Sequence, residues 1–407
     1  MRIGFVGCGW TAEMYFQSLK KYPDLELVAV TDRDQKRASE FGAFYSVKTC
    51  PTVEALLADP SIEMIVNITT PNSHFEVSKA CLEAGKHVYS EKPLAMTFSE
   101  AEALVELANR KGLYLSSAPC GVLGETAQTL WKALRNNEIG TVRAVYAEMD
   151  DGPVHLQNPH LWRTPSGTPF PYRAALEVGY TVEHAAYYLT WVTAFFGPAK
   201  TVTAFSACLW PDKQVVAEES LHVTTPDFSV ACITFESGVV VRLTCSSVAP
   251  YNHEIRIVGD KGVLRVEECQ NISAPVYLDK YSKLRFRAER YPITKAYPFI
   301  KAWLDPHATV YPPVKKSSWL KRNDRHRLDW ARGIAELARA ITEQSPGRLP
   351  ADYCLHVQEL VWAIQNATHM PYQVTTTFKP LQPVDDVDRL VVPDVRRYRV
   401  SPFKSWG

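Results

Sequence analysis

Short apolar runs alternate with longer segments of helical periodicity over the first third of the chain. The apolar runs have the composition and boundaries of buried strands, and they lie at Arg2–Gly7, Leu25–Thr31, Ile62–Asn67, His87–Ser90 and Tyr114–Ala118. Helices are predicted between several of them, at Trp10–Lys21, at Phe75–Ala84 and after Thr97. Strands that alternate with helices of about 10 to 15 residues indicate βαβ units. The pattern therefore predicts an α/β domain with a parallel sheet.

The helix that follows Thr97 is bounded by clear end signals. Thr97 can cap the helix, and Glu100, three residues later, completes a capping box. Gly112 stands where a glycine commonly ends a helix. We therefore expect a single helix between Thr97 and Gly112.

The second half of the chain has a different pattern, because β-rich runs follow one another directly. These runs lie at Val142–Met149, Val202–Cys208, Phe228–Phe235, Val239–Val248, Ile255–Val258 and Val263–Glu267. Turn sequences at 236–238 and 259–262 join the last four runs as two hairpins. Successive hairpins predict an antiparallel or mixed sheet in an α+β domain. We expect the boundary near residue 120, which gives domains 1–120 and 121–407.

Two later segments complete the predicted organisation. Residues 279–327 hold thirteen Lys or Arg against four Asp or Glu, with many aromatic residues and prolines. They suggest an irregular insertion over the sheet or at a subunit contact, with a basic lid for an anionic substrate as the alternative. Two helices are predicted next, at 328–343 and 353–367, and we expect them to return toward the N-terminal domain.

Composition and charge narrow the class of protein. With 407 residues, the chain exceeds the size at which one hydrophobic core keeps growing. Its net charge of +1 excludes a globally basic nucleic-acid binder. Nine dispersed cysteines without a C-x-x-C pair predict reduced thiols and no metal site. Apolar runs stay well short of the ~18 residues of a membrane span, so we expect a cytoplasmic protein that binds neither membranes nor nucleic acid.

A glycine-rich turn directly follows the first predicted strand. The run Gly7-Cys8-Gly9-Trp10-Thr11-Ala12 has the form G-x-G-x-x-A and opens a predicted helix. In such a turn the first glycine permits a tight bend, the second lets a pyrophosphate approach the backbone, and the small Ala12 allows close helix–sheet packing. The helix N-terminus offers free N–H groups to phosphates. Together these features predict a dinucleotide site.

A carboxylate at the end of the second strand bears on the choice of dinucleotide. Asp32 lies roughly 20 residues beyond the glycine turn, where an acidic side chain accepts hydrogen bonds from ribose hydroxyls. It favours NAD(H), because a 2′-phosphate would face a like charge. Arg33 adjoins it and could pair with that phosphate, so NADP(H) is the alternative. For Asp32 itself, the alternative role is to start the next helix.

Two further segments make the chain resemble a known family. They are Asn67-Ile68-Thr69-Thr70-Pro71-Asn72-Ser73-His74 and Ala84-Gly85-Lys86-His87-Val88-Tyr89-Ser90-Glu91-Lys92-Pro93-Leu94. With the glycine turn, they resemble the Gfo/Idh/MocA oxidoreductases, the group of glucose–fructose oxidoreductase and inositol dehydrogenase. The resemblance is clearest over residues 1–120, is weaker over 121–270 and returns at 328–367.

This resemblance implies a Rossmann domain followed by an α+β domain with a large, open, mostly antiparallel sheet. In the family that sheet commonly forms the contact of a homo-oligomer, a dimer or tetramer, and the active site lies between the domains. Lys92 is implied to act beside the nicotinamide, where an ammonium polarises a carbonyl or an alcohol. The implied cofactor site adds to the glycine turn, Asp32 and Arg33 the residues Thr69, Thr70, Pro71, Asn72, His74, Glu91, Lys92, Trp162 and Arg163. For His74, a capping or packing role is the alternative.

A second catalytic group is implied in the second domain. Family members usually carry Asp-x-x-x-His on a helix, and here Tyr180 and His184 hold the two positions. The resemblance makes His184 the general acid or base, with a structural histidine as the alternative. The tyrosine departs from the pattern, and Tyr180 could itself donate a proton or bond a sugar hydroxyl. Glu177 and Glu183 are candidate substitutes for the missing carboxylate, although Glu183 should point elsewhere on the helix.

The substrate is expected to differ from those of the best-known members. After the strand Tyr114–Ala118 many relatives carry an Asn-Arg-Arg-like run, whereas residues 117–124 of this chain contain no basic group. A loop over 155–173 combines aromatic and polar side chains. Such a loop could stack on a sugar or cyclitol ring, or serve only for packing.

The resemblance implies an NAD(P)-dependent oxidoreductase that transfers a hydride between nicotinamide and a sugar, polyol, cyclitol or sugar-derived metabolite. Lys92 would polarise the oxygen, and His184 or Tyr180 would move the proton. Two alternatives stay open. An NAD-dependent glycosidase or lyase would oxidise its substrate transiently, with no net change in the nucleotide, and a non-catalytic sensor would bind nucleotide or sugar without chemistry.

Overall fold

Two separate sheets organise the protein. The computed structural model describes residues 1–216, 219–281, 309–314, 328–367 and 370–384. The strands before residue 118 form one sheet of six, whereas the strands from residue 142 onward form a sheet of nine and a ribbon of two. The predicted boundary near residue 120 lies between the last strand of the first sheet and the first strand of the second.

The N-terminal sheet is parallel at all of its described pairings. Its strands are β1 (Arg2–Val6), β2 (Glu26–Thr31), β3 (Lys48–Thr49), β4 (Met64–Asn67), β5 (His87–Ser90) and β6 (Leu115–Ser117), and its helices are α1 (Trp10–Leu19), α2 (Gln35–Tyr45), α3 (Val53–Leu57), α4 (His74–Glu83) and α5 (Phe98–Lys111). The spatial order β3-β2-β1-β4-β5-β6 reverses its direction between β1 and β4. Ligands of such sheets bind at the carboxyl ends of the strands beside this switch. The predicted Rossmann domain is confirmed.

Both ends of α5 follow from its sequence. The Thr97 hydroxyl accepts a hydrogen bond from the Glu100 N–H at 3.2 Å, and the Glu100 carboxylate accepts one from the Thr97 N–H at 3.1 Å. Gly112 ends the helix with a φ of 64°, in the left-handed region that favours glycine. The predicted capping box and glycine stop are therefore confirmed.

The second half of the chain supplies eleven further strands in the described residues. They are β7 (Val142–Asp150), β8 (Ala199–Ala207), β9 (Asp212–Val216), β10 (Glu219–His222), β11 (Phe228–Phe235), β12 (Val240–Ser246), β13 (Ile255–Gly259), β14 (Gly262–Val266), β15 (Tyr277–Lys280), β16 (Thr309–Val310) and β17 (Tyr372–Gln373). The larger sheet has the order β16-β15-β14-β13-β7-β12-β11-β8-β17, and β9 pairs with β10 as a ribbon. The helices of this half are α6 (Glu125–Arg135), α7 (Tyr172–Val178), α8 (Tyr180–Phe196), α9 (Arg332–Glu343) and α10 (Ala351–Gln365).

Hairpins dominate the larger sheet, as the sequence predicts. β11 and β12 pair antiparallel around the turn at 236–238, and β13 and β14 do so around the turn at 259–262. Among the pairings described for the larger sheet, β7 with β12 is the one parallel pair. The expectation of a large, open, mostly antiparallel sheet is confirmed.

Helix α8 fills the core between the larger sheet and α10. Tyr188 and Trp191 are each 1% exposed, so the centre of the helix is enclosed on all sides. Its N-terminal turn, which holds Tyr180 and His184, points toward the N-terminal domain, because the neighbouring Glu183 contacts Lys92 there. None of the helices in the described ranges is long and apolar enough to cross a membrane.

Helices α9 and α10 connect the two halves. α9 packs Ala331, Ile334 and Leu337 into the core around the N-terminal sheet. The buried guanidinium of Arg332 binds the Glu125 carboxylate at 3.1 Å, which fixes the start of α6. α10 lies against both α8 and α5. The C-terminal part of the chain thus holds the second domain against the first.

The basic segment 279–327 lies mostly outside the described residues. At its edges, β15 and β16 pair antiparallel, with Tyr277 opposite Val310 and Leu278 opposite Thr309. Residues 282–308 and 315–327, on which the insertion and lid interpretations depend, are not among the described residues.

Candidate active site between the two domains

The glycine turn has the geometry that a pyrophosphate site requires. Gly7 has a φ of 106°, and a Cβ at this position would lie 2.4 Å from the carbonyl oxygen of Ile68, so no larger residue fits. Gly9 precedes α1 with extended backbone, and a Cβ there would meet nothing within 4 Å. The space beside Gly9 is therefore open to an approaching group. Ala12 is fully buried and lets α1 pack closely on the sheet.

Asp32 holds this turn from the end of β2. One of its carboxylate oxygens accepts a hydrogen bond from the Cys8 N–H, and the other accepts from the Asp34 N–H, both at 2.8 Å. The Arg37 guanidinium lies 3.8 Å from the same carboxylate, and Arg33 is exposed beside it. The cap of α2 is Asp34, which accepts from the Arg37 N–H at 3.2 Å. Asp32 therefore has a structural role in the turn, and it lies at the strand end where the sequence predicts a ribose ligand.

Residues Thr69, Thr70, Pro71 and Asn72 form the turn at the carboxyl end of β4. The Thr69 hydroxyl donates to the Asn67 side chain at 2.7 Å, and a short 3-10 turn spans Pro71–Ser73. Asn72 is exposed. The turn follows the strand next to β1, so it lies at the same sheet edge as the glycine turn.

His74 connects this turn to the one around Lys92. Its Nδ1 lies 2.6 Å from the carbonyl oxygen of Pro93, and its Nε2 lies 3.1 Å from that of Thr69. Burial lowers the pKa of His74, so the ring is neutral and donates one of these two bonds. Because both nitrogens face protein carbonyls, the geometry favours the packing alternative for His74 over a contact with the cofactor.

Glu91 faces into the protein. Its carboxylate accepts hydrogen bonds from the Tyr15 hydroxyl at 2.6 Å and from the Lys92 N–H at 3.0 Å. Burial raises the pKa of this carboxyl group above its ordinary value. The geometry therefore gives Glu91 the role of fixing the Lys92 backbone, rather than the predicted contact with the cofactor.

The Lys92 ammonium crosses the cleft to the second domain. Its Nζ lies 2.5 Å from a carboxylate oxygen of Glu183, and the two side chains are 13% and 18% exposed. Burial alone would lower the pKa of Lys92, but Glu183 and Glu91 raise it above its ordinary value. Lys92 is thus held as a cation that can polarise an oxygen.

The carboxylate that contacts His184 lies outside the Asp-x-x-x-His motif of the family. Its Nε2 lies 3.0 Å from an oxygen of Asp151, directly after β7. Tyr180 stacks on the His184 ring with centroids 4.2 Å apart. Burial, together with the Asp151 charge, raises the pKa of Tyr180 well above its usual value, so the tyrosine stays neutral. Glu177, the other predicted substitute, is exposed.

Asp151 also lies within ion-pair distance of a second histidine. Its other oxygen lies 2.9 Å from Nε2 of His253, and Nδ1 of His253 lies 3.1 Å from Glu268. Burial lowers the pKa of His253, but the bonds to Asp151 and Glu268 outweigh it and raise the pKa to about 9. Burial acts to raise the pKa of Asp151, yet the histidines hold it well below its usual range.

The loop after β7 lies on the glycine turn. The ring centroid of Phe170 lies 5.1 Å from that of Trp162 and 5.4 Å from that of Trp10, in the first turn of α1 that also includes Thr11. Arg163 is exposed and donates to the carbonyl oxygens of its own loop. Trp162 therefore reaches the predicted cofactor region, whereas the Arg163 side chain is directed toward its own backbone.

A buried carboxylate fixes the same loop to α1. Glu13 is fully buried and accepts hydrogen bonds from the Tyr45, Thr164 and Ser166 hydroxyls. The loop from the second domain is thus bonded beside the glycine turn. No signal in the sequence marks this contact, since Glu13 lies on the predicted helix and its partners lie in an irregular segment.

Two carboxylate contacts meet at the N-terminal turn of α8. Glu183 and His184 are consecutive, so their side chains point in different directions: one toward Lys92 and the other toward Asp151. Sequence reasoning brings Lys92 and His184 to one site but misses Asp151, His253 and Glu268. The arrangement offers a cation that can bind an oxygen and an imidazole that can move a proton, next to a dinucleotide-type turn.

Comparisons with known proteins agree with this architecture. Residues 1–118 match the model of an oxidoreductase family with an NAD-binding Rossmann fold, Gfo/Idh/MocA, and residues 127–265 match the model of a Gfo/Idh/MocA C-terminal domain. A trans-1,2-dihydrobenzene-1,2-diol dehydrogenase of Bos taurus is 27% identical over 270 residues, covering 65% of this chain and 74% of the relative. A myo-inositol 2-dehydrogenase of Thermotoga maritima is 24% identical over 300 residues, covering 72% and 84%.

Solved structures show the same fold. The WlbA dehydrogenase of Bordetella pertussis, in complex with NADH and UDP-GlcNAcA, has a TM-score of 0.68 at 17% identity, covering 92% of this chain and 98% of that protein. A 3-ketoreductase of Actinomadura kijaniata in complex with NADP has a TM-score of 0.65 at 19% identity, covering 90% and 97%. Since the two family models together match more than half of the sequence, this chain belongs to the Gfo/Idh/MocA family of NAD(P)-dependent oxidoreductases.

Proposed function

We propose that the protein transfers a hydride between a nicotinamide nucleotide and the CH–OH carbon of a carbohydrate-like substrate, such as a sugar, polyol, cyclitol or sugar-derived metabolite. One observation carries the proposal. Beside the glycine turn, a carboxylate-held ammonium and a carboxylate-held imidazole meet, through the pairs Lys92–Glu183 and His184–Asp151. The named activities of the relatives, on a dihydrodiol, an inositol and sugar nucleotides, support the same substrate class.

The residues around the glycine turn fit a dinucleotide. The positive φ of Gly7, the open space beside Gly9 and the start of α1 form a cradle for phosphates. When bound, the nicotinamide ring accepts or supplies the hydride. We assign NAD(H) as the favoured cofactor because of Asp32, and NADP(H) as the alternative because Arg33 and Arg37 stand beside that carboxylate.

Lys92 and His184 act on the substrate oxygen and its proton. In the oxidising direction, the Lys92 ammonium donates a hydrogen bond to the substrate oxygen. As the hydride leaves the carbon, the hydroxyl proton passes to His184 and the C–O bond becomes a carbonyl. In the reducing direction, His184 returns the proton to the oxygen. Glu183 and Asp151 hold the two groups in place, and the buried Tyr180 supports the imidazole by stacking.

A glycosidase or lyase is the second candidate function. The site contains two acid–base units with separate carboxylates, Lys92–Glu183 and His184–Asp151. An elimination needs a base for the carbon acidified by transient oxidation and an acid for the leaving group, and two units could fill both roles. A sensor would need neither unit, so the site gives it less support.

We further propose a cytoplasmic homo-oligomer, a dimer or tetramer formed through the larger sheet. Tyr146, Phe205 and Val240 are 40%, 57% and 40% exposed, and all three lie on strands of this sheet. They leave apolar side chains at its outer face. All nine cysteines are free thiols, as a reducing compartment maintains.

The proposed function is tested by binding followed by turnover. NADH and NADPH are titrated into the purified protein by fluorescence, and keto and hydroxy forms of sugars and cyclitols are then added to the complex. Binding with stoichiometric oxidation of the nucleotide supports the oxidoreductase. Product formation with the nucleotide unchanged supports the glycosidase or lyase. Failure of NADH, NADPH and their oxidised forms to bind would contradict the proposal.

A further inference from the structure

A continuous chain of carboxylate and imidazole side chains leads from His184 into the interior of the second domain. His184 contacts Asp151 at 3.0 Å, Asp151 contacts His253 at 2.9 Å, and His253 contacts Glu268 at 3.1 Å. We call these four residues the His253 chain. Along it, imidazole and carboxylate alternate, so each group faces a partner of opposite hydrogen-bonding character.

The larger sheet brings these residues together. Asp151 directly follows β7, and His253 precedes β13, which pairs with β7 in antiparallel register. Asp150 and Asn252 form an additional bridge there. Glu268 follows β14, the hairpin partner of β13. The ends of three neighbouring strands therefore supply Asp151, His253 and Glu268, and helix α8 supplies His184.

The burial of His253 between two carboxylates bears on its protonation state. Its side chain is 0% exposed, while those of Asp151 and Glu268 are 18% and 10% exposed. Two carboxylates in such a place need a cation between them, because unpaired buried charges are costly. His253 is the side chain that contacts both, so the contacts favour an imidazolium at this position.

We propose that His253 is a positioning residue for the reaction: as an imidazolium it aims one oxygen of Asp151 at His184, and it thereby fills the role of the family carboxylate that Tyr180 replaces. The proposal rests on the proposed function, since it assigns His184 the proton step. In family members this carboxylate belongs to an aspartate on the same helix as the histidine. Here Asp151 and His253 take its place, from the end of β7 and from the segment before β13.

Other charged and titratable groups face the chain from every packed element. Around His253, these are Asp151 and Asp150 from the end of β7, and Tyr251, Glu268 and Cys269 from the neighbouring loops. Around His184, they are Asp151 and, on α8 itself, Tyr180, Glu183 and Tyr187. The His253 chain is the path of direct contacts that links the two histidines.

A metal site is the main competing interpretation. His253, Glu268 and Cys269 offer one nitrogen, one oxygen and one sulfur within 4.8 Å of one another. However, both ring nitrogens of His253 already contact carboxylate oxygens. Burial raises the pKa of the Cys269 thiol well above its usual value, which opposes the thiolate form that binds metals. The geometry therefore favours the imidazolium.

The first test observes the charge of His253 directly and needs no substrate. The full-length protein is labelled with ¹⁵N-histidine, and the ring nitrogens are followed by NMR between pH 6 and 9, with His253→Gln used for assignment. We expect His253 to stay doubly protonated at pH 8. The matched control is His356, which is equally buried but contacts the Ala199 N–H and Thr376, and whose pKa is lowered by burial to about 4. It should be neutral throughout.

The second test asks whether His253 acts through Asp151. Once a substrate turns over, kcat and KM are measured for His253→Gln, Asp151→Asn and the double variant. We expect His253→Gln to lower kcat about tenfold with little change in KM, and to have less than about a threefold effect when Asp151 is already Asn. His356→Gln, the matched control, should leave kcat unchanged even if it lowers the melting temperature.

Three results would overturn the proposal. They are a neutral His253 at pH 8, a stoichiometric metal bound at His253 by elemental analysis, or full and independent effects of the two substitutions in the double variant. A failure of the proposed function looks different, since the protein would then lack turnover while the NMR spectrum still reported the charge of His253.

Discussion

The two domains build their halves of the site by different means. The N-terminal half uses backbone geometry: a glycine with positive φ, an open glycine and a helix start, with Asp32 holding the turn through two N–H groups. The second half uses buried carboxylate and imidazole side chains, in the chain His184–Asp151–His253–Glu268 and in Glu183. A backbone cradle keeps its shape when single side chains change, whereas a chain of side-chain contacts depends on each member and on pH.

The two halves of the site should also differ in function, one in nucleotide binding and the other in the chemical step. The nucleotide would be held mainly by the first half, so substitutions in the second half should change turnover more than nucleotide affinity. Lys92 is the exception by position, because it belongs to the first domain but pairs with Glu183 of the second.

Lys92→Ala should have the largest effect. Loss of the ammonium removes the donor to the reacting oxygen, and we expect kcat to fall about 10³-fold while NADH binding changes little. Steady-state kinetics and a fluorescence titration measure the two quantities. Lys86→Ala is the matched control, since Lys86 is also buried but binds the carbonyl oxygens of Asp59 and Ile62. Unchanged turnover in Lys92→Ala would remove Lys92 from the mechanism.

Asp151→Asn should lower kcat about 10²-fold, because the asparagine cannot stabilise a protonated His184. Asp150→Asn makes the same chemical change one residue away and should cost less than about threefold. The measurement is kcat as a function of pH for both variants. Equal losses in the two variants would mean that Asp151 has no special relation to His184.

The charged state of His253 should appear in the pH dependence of stability. Its pKa is raised in the folded protein to about 9, above the ordinary value of about 6.5. The stabilisation is therefore complete below about pH 6.5 and is lost as the pH rises through 9. Between these limits, the free energy of unfolding of the native protein should fall more steeply than that of His253→Gln, by up to about 3 kcal/mol. Urea denaturation at a series of pH values measures it, and parallel curves would contradict the charged state.

Asp32→Ala should have the smallest effect and a selective one. We expect NADH binding to weaken about tenfold and NADPH binding to weaken less, because the lost carboxylate would oppose a 2′-phosphate. Asp34→Ala is the matched control, since it removes the α2 cap and costs about 1 kcal/mol of stability without changing the ratio of the two affinities. Equal weakening of NADH and NADPH in Asp32→Ala would mean that Asp32 acts on the turn alone.

The N-terminal site could largely be predicted because its segments are contiguous and share one sheet edge. Gly7, Asp32, Thr69 and Lys92 each follow a strand of a parallel sheet, so their sequence positions alone place them near one another. The exceptions are His74 and Glu91. Both lie where the resemblance implies, but their polar atoms face the protein, and a spacing pattern does not report the direction of a side chain.

The second half of the site could be predicted only in part. The reason is that most of its residues are brought together by strand pairing. His184 lies on a helix with a recognisable spacing, but Asp151, His253 and Glu268 come from strand ends that are far apart in sequence. They meet because β13 pairs with β7, and a sequence does not specify which strands of an antiparallel sheet become neighbours. The sequence offers substitutes for the missing carboxylate only near His184, and of these Glu177 is exposed and Glu183 binds Lys92.

Isotope labelling can follow the hydride itself from the nucleotide to the product. NADH or NADPH deuterated at C4 is incubated with the protein and the substrate that the panel identifies, and the product is analysed by NMR and mass spectrometry. Net hydride transfer predicts one deuterium at the carbon that becomes CH–OH, with one nucleotide oxidised per product. Product that forms while the nucleotide stays reduced and retains its deuterium would contradict net hydride transfer.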